Sequence, residues 1–307
     1  MEINRFLACA ALTTGIVYAV ILLKEALKKC SIQGDIRKIN MQEMEASRVQ
    51  GKKLFPQMAI GEGLVFFFAA MGFSDFLLNI PLMSKLHWTT DDRIPETLLA
   101  ATIVPGSVIA FCYLLNADNI GVELLLPVTL AAGLGCFTGS HFLLKADAKK
   151  LRLILFYALL FSMAAFILKF AVSDGQPSDA VTLPTFKIIL STVIVFLLGF
   201  INAFGVPMKA AATALFSILG LSPVITLTLM LTIGMVSPAA GCVKVIRSEK
   251  YEKKVSLAAV IFGSIGAALG CRLAITMNQL ALTLIMLLII LISLIDTGMK
   301  IKKDRIL

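Results

Sequence analysis

The chain has 307 residues, of which 58% are hydrophobic and only 15% charged, and its mean hydropathy is +0.91. A soluble domain would carry about 25% charged residues. Here long uncharged apolar runs alternate with short basic patches, which excludes an ordinary soluble fold and predicts a polytopic α-helical membrane protein. The net charge of +9 sits in those patches, so it reads as an orientation signal and a contact with anionic headgroups, not as a nucleic-acid surface.

In chain order, residues 1–27 hold a first transmembrane helix (FLACAALTTGIVYAVILL, 6–23), with no small-residue cleavage site before a soluble domain. The basic segment 28–56 mixes Ile36, Ile39 and Met44 among charges and predicts a cytoplasmic linker lying as an interfacial helix. Further apolar runs fall near 57–83, 94–115, 119–143, 151–172, 186–207, 210–221, 223–243, 255–275 and 280–297. The run 57–83 is long and broken near Gly72–Asp75, and 210–221 is too short to span.

Basic patches at 28–53, 145–152, 244–254 and in the tail 300–307 all ask to be cytoplasmic, whereas 173–185 has Asp174 and Asp179 and no Lys or Arg. Straight helices cannot satisfy that pattern. It closes if 57–72 crosses and 74–84 folds back, and if 186–204 crosses and 208–220 folds back. Each half, 57–172 and 186–299, then holds five elements, and an odd number inverts the second half relative to the first. The expected fold is therefore an all-α polytopic integral membrane protein of two inverted-topology repeats with broken or re-entrant helices, plus one extra N-terminal transmembrane helix. An external linker at 173–185 joins the repeats. The N-terminus is expected outside and the C-terminus in the cytoplasm.

Self-similarity supports the same halves. AAGLGCFTGSHF (131–142) resembles FGSIGAALGCRL (262–273), both with Gly-x3-Gly at Gly135/Gly139 and Gly266/Gly270, the signature of close helix packing. ATIVPGSVIAF (101–111) resembles LTIGMVSPAAG (231–241), pairing Thr102 with Thr232 and Ser107 with Ser237.

Polar residues inside these runs are the candidate site. A carboxylate at the bilayer centre costs roughly 2.5–3.5 kcal/mol on insertion scales and usually marks a pathway or a partner. Asp75 lies deep in a run, and Lys209 occupies the matching break of the second half, so the two breaks are expected to meet near the midplane with Asp75 and Lys209 as a pair. Gly72 and Gly205, with Pro81 and Pro207 nearby, would open helix N-termini that hold an anion through unpaired N–H groups. Asn79 and Asn202 either bond a substrate or tie helices together, and Ser107 and Ser237 either pack helices or line a cavity. Glu62, Lys169, His141 and Arg272 fall near run ends, where hydration removes most of the penalty. The six cysteines form no CxxC and the two histidines lie far apart. With no HExxH, GxSxG or Walker A sequence either, no enzyme, metal or cofactor is expected.

GFSDFLLNIPLM (72–83), GFINAFGVPMKAAATALFSILGLSP (199–223), VPGSVIAFCYL (104–114), GSH (139–141) and GCR (270–272) resemble, in this order over about 57–297, stretches of the sulfite exporter (TauE/SafE) family of membrane permeases. The chain differs from the family's consecutive glycines at Phe73-Ser74-Asp75 and Val206-Pro207-Met208, and from its first Gly-x-Arg at His141. The resemblance implies a carrier of the cell (inner, cytoplasmic) membrane exporting a small sulfur-containing or organic anion by alternating access. Its partners would be the anion and the lipid bilayer, with proton coupling through Asp75 and a homo-oligomer both compatible. The residues alone leave two other readings open: a carrier of another solute or a cation with Asp75 as counter-ion, and a non-transporting accessory subunit.

Overall fold

A computed structural model describes residues 2–35, 41–90, 93–116, 120–142, 179–248, 251–278 and scattered positions from 281 to 299. The run 151–172 with Lys169, the basic patch 145–150 and the tail 300–307 lie outside the described residues. The elements are α1 (Glu2–Asp35), α2 (Met41–Ala70), α3 (Asp75–Lys85), α4 (Ile94–Asn116), α5 (Val122–Phe142), α6 (Thr185–Asn202), α7 (Lys209–Leu219), α8 (Pro223–Ser248), α9 (Lys253–Ala258) and α10 (Ser264–Ile275). A π-turn, Ala259–Gly263, joins α9 to α10. Six helical stretches among the described residues are long and apolar enough to cross a membrane: Arg5–Glu25, Ile94–Asn116, Val122–Phe142, Thr185–Asn202, Pro223–Ile246 and Lys253–Ile275.

The molecule is apolar on its outside as well as in its core, and a minority of polar side chains is buried within. Ile60, Leu64 and Phe68 on α2, Leu126, Leu130 and Leu134 on α5, Phe186, Ile189, Val193 and Leu197 on α6, and Ile265 and Leu269 on α10 are all exposed. They recur every three or four residues, so each helix turns one apolar stripe outward. In water such stripes would drive association; in a bilayer they are the solvated face. The buried set, in contrast, includes Glu62, Asp75, Asn79, Thr102 and Lys209.

Helices α4 and α8 form the centre and pack on each other, with 78% and 72% of their apolar windows buried against 33% for α6. Around them α5 packs on α6 and α8, α10 packs on α2 and α4, and α1 packs on α4. Glycine sets how close these helices come. A methyl at Gly135 or Gly139 of α5 would run into the carbonyls of Phe196 and Phe200 on α6, and one at Gly266 or Gly270 of α10 into those of Gly63 and Phe67 on α2. The two Gly-x3-Gly motifs therefore make the same kind of contact, each with a four-residue step on both helices.

The two short helices fold back along the helices that precede them. α3 returns alongside α2, so that Asn79 reaches Glu62 and the Trp88 ring covers Gly61. α7 returns alongside α6, and Lys187 Nζ near the start of α6 donates to Leu219 O at the end of α7 (3.0 Å). The breaks expected near 72–75 and 205–208 are thus present, each with a short helix after it.

Backbone contact leaves no flexible end to yield, so Gly135→Ala and Gly266→Ala are expected to destabilise by about 1–3 kcal/mol through overpacking. Gly106→Ala, whose new methyl would lie 3.4 Å from Met235 Cβ, is expected to be neutral. Thermal unfolding of the three variants in one detergent checks this ranking.

Candidate functional site

The site begins with two glycines in left-handed backbone. Gly72 (φ 104°) follows α2 and Gly205 (φ 77°) follows α6, a conformation that costs a glycine little. Each lets the chain leave a long helix and enter a short one within a few residues. α3 then starts at Asp75 and α7 at Lys209, and neither receives a side-chain N-cap. The first N–H groups of both helices therefore have no partner inside their own helix. Ser74, Asp75, Asn202, Pro207, Met208, Lys209 and Gly234 line one small cavity of about 10 Å³ between the two N-termini, at the lower limit for a single water.

In that cavity wall Lys209 Nζ meets Asp75 Oδ1 at 2.5 Å, with both side chains sealed from solvent. Thr102 Oγ1 of α4 donates to Asp75 Oδ2 at 2.6 Å, so each carboxylate oxygen has a partner. The lysine stem lies on α8 where Gly234 has no side chain; a methyl there would come within 2.7 Å of Lys209 Cε. The electrostatics are unequal. A carboxylate in the first turn of α3 is favoured by the helix dipole, whereas an ammonium in the first turn of α7 is opposed by it. Asp75 is what makes Lys209 tolerable there.

One turn along α3, Asn79 Nδ2 donates to Glu62 Oε2 at 3.2 Å. Glu62 and Asn79 are both fully buried. This corrects the expectation that Glu62 is hydrated near a run end. α2 begins at Met41, so Glu62 lies well inside a helix, and the returning α3 covers it. A usable signal was the triplet Gly61-Glu62-Gly63. Its two glycines admit the Trp88 ring on one side and the backbone of Gly266 on the other.

The structure brings Asp75, Lys209 and Asn202 to one cavity and sets Asn79 one turn away along α3, whereas Gly72 and Gly205 precede the short helices and are not in the cavity lining. Ser107 and Ser237 are elsewhere. Ser107 Oγ bonds Ile103 O of its own helix and packs on Gly15 of α1, while Ser237 faces Cys136 of α5. Thr102 and Thr232 match in sequence but differ in use, since Thr232 Oγ1 bonds Thr228 O (2.7 Å) and only Thr102 reaches the ion pair. Among the described residues no cluster of three or more His, Cys, Asp or Glu could hold a metal.

The family model for the sulfite exporter TauE/SafE matches residues 58–297. The chain belongs to the sulfite exporter TauE/SafE family. No curated protein and no solved structure matches it. The matched region starts within α2, contains both breaks and the ion pair, and leaves α1 outside. TauE/SafE proteins are membrane permeases, so the outward apolar stripes are lipid-facing surfaces of a multi-pass membrane protein.

Breaking a buried pair leaves one charge unpaired at a cost of about 3–5 kcal/mol. Asp75→Asn and Lys209→Met are each expected to lower thermal stability by that order. The Asp75→Asn/Lys209→Met double variant is expected to recover most of it. Unfolding curves for the three proteins give the coupling directly.

Proposed function

We propose that this chain moves a small anion across the cell membrane, binding it where the N-termini of α3 and α7 converge. The observation that carries this is the charge at that point. Each helix N-terminus contributes about half a positive charge, while Asp75 and Lys209 cancel, so the site is positive by about one charge and suits a monovalent anion. A sulfur oxyanion or organic anion is the substrate class that family membership supports. The cavity of about 10 Å³ is too small for such an ion, so the anion enters by taking Lys209 from Asp75. That exchange keeps the ammonium paired throughout. A cation is disfavoured as cargo, because Asp75 already has a cationic partner.

Alternating access follows from two repeats inverted in the membrane, with residues 1–27 as an extra spanning helix beside them. The matched glycine contacts of α5 on α6 and α10 on α2, together with a short returning helix after each break, support that inversion. α3 and α7 would run from the midplane toward opposite surfaces, the N-terminus would be external, and the repeats would rock about the fixed N-termini. Export is the direction that the family description suggests.

The test is flux in proteoliposomes with labelled sulfite. Wild type is expected to show saturable counterflow. Loss of a charge-assisted hydrogen bond worth about 1.5–3 kcal/mol makes Lys209→Met slower by roughly tenfold or more, and Asp75→Asn, which leaves no carboxylate to take Lys209 back from the anion, is expected to slow release. Unchanged flux in both variants would sink the proposed site. An absence of saturable movement for sulfite, thiosulfate and a sulfonate alike would favour an accessory subunit.

A further inference from the structure

Two buried polar atoms next to the ion pair have no partner among the described residues, and they belong to side chains that already share a hydrogen bond. Asn79 Nδ2 donates to Glu62 Oε2, yet Glu62 Oε1 and Asn79 Oδ1 are both unpaired. Both atoms are acceptors if Glu62 is ionised, so neither can satisfy the other. A proton on Oε1 changes this. The carboxylic acid then offers an O–H to the amide oxygen while its other oxygen keeps the amide N–H, and one proton satisfies both orphans. The alternative is a buried carboxylate with one oxygen unpaired and no cation bonded to it among the described residues, one of the most costly groups a protein can bury.

We infer that Glu62 is a proton-binding site of the carrier, distinct from the anion site at Asp75 and Lys209 and coupled to it. Asp75 and Asn79 are one turn apart on α3, and the Asp75 charge acts on Glu62. The other charged or titratable groups on elements packed against α2 are Lys85 on α3, Glu96, Cys112 and Tyr113 on α4, Lys253 and Lys254 on α9, and Cys271 and Arg272 on α10. Burial acts on Glu62 most strongly, and the side chains that act on it are Asn79 and Asp75. While Lys209 neutralises Asp75, Glu62 can release its proton at the smallest cost. When an anion takes Lys209, Asp75 is left negative beside Glu62, and a second negative charge there is opposed. Anion binding therefore holds the proton on, and by linkage the proton holds the anion. Bound proton and bound anion would cross together. This coupling rests on the anion reading above, but the proton site itself does not.

The experiment uses the full chain in liposomes and separates the two. Infrared difference spectra between acid and alkaline buffer are expected to show a protonated-carboxyl C=O band that shifts in D2O. The band should remain in Asp75→Asn, move in Glu62→Asp and vanish in Glu62→Gln. Glu62→Gln replaces the acid with an amide that can make the same two bonds to Asn79, so it should melt with wild type, and Glu62→Ala should melt lower. A band absent from wild type, or one that survives Glu62→Gln, overturns the proton site. With labelled sulfite as probe, Glu62→Gln should retain counterflow and lose accumulation driven by an acidic exterior, down to the level of protein-free liposomes. Accumulation equal to wild type would overturn the coupling. If wild type moves no sulfite, the anion reading fails, and the infrared band still decides whether Glu62 holds the proton.

Discussion

The rest of the structure is arranged around one constraint: a lysine placed at the positive end of a helix, in the middle of a membrane protein, needs an anion. Lys209 meets the dipole of α7 unfavourably, has little water and lies flat on Gly234. Asp75 satisfies it in the described conformation, and Thr102 holds the carboxylate in place. The same need defines what else could sit there. Any anion able to replace Asp75 would find the ammonium and two helix N-termini without side-chain caps already oriented, which lowers the ordering cost of binding. Under the proposed anion reading the ion pair is a holding position for the lysine more than a stabilising strut, since burying both charges gains little net free energy.

That holding position requires two helix ends to be delivered to one point. The delivery depends on a rigid frame and two sharp reversals. The frame is the α4–α8 centre with α5 on α6 and α10 on α2, spaced by glycines that allow backbone to touch backbone. Lipid offers no hydrophobic drive for helix association, so close packing has to come from such contacts. The reversals are at Gly72 and Gly205, where positive φ costs a residue without Cβ little. They turn two apolar segments too short to span into helices that begin at the site. The π-turn at Ala259–Gly263 lies against α2 beside Gly63, next in sequence to Glu62.

Much of this was legible beforehand, for identifiable reasons. Charge asymmetry between loops demanded two extra reversals, and the described chain reverses near both expected positions. Gly-x3-Gly at 135/139 and 266/270 announced close contacts, because nothing else in a helix makes that spacing useful. Matching alone could not say which threonine reaches the carboxylate. Thr102 and Thr232 match in sequence, but the matching break of the second half carries Lys209 where the first carries Asp75, so only Thr102 has that carboxylate to reach. Glu62 is buried although it lies near the end of an apolar run, because distance along a run is not depth in the fold. α2 extends upstream of that run, and α3 folds over it.

By itself the sequence determined the class of the protein, the number and placement of its breaks, and the identity of its rare intramembrane charges. These follow from composition and from where basic residues can lie, which are properties of the chain read in one dimension. Apart from the Asp75–Lys209 pair, which the matching breaks anticipate, tertiary structure alone decided which polar groups meet. Ser107 and Ser237 turn toward neighbouring helices, and Asn79 is engaged by Glu62 instead of facing the cavity. Helical rotation and packing assign each side chain its direction, and a shift of one residue along a helix turns a side chain by about 100°. Linear spacing does not encode that rotation until the partner helices are in place.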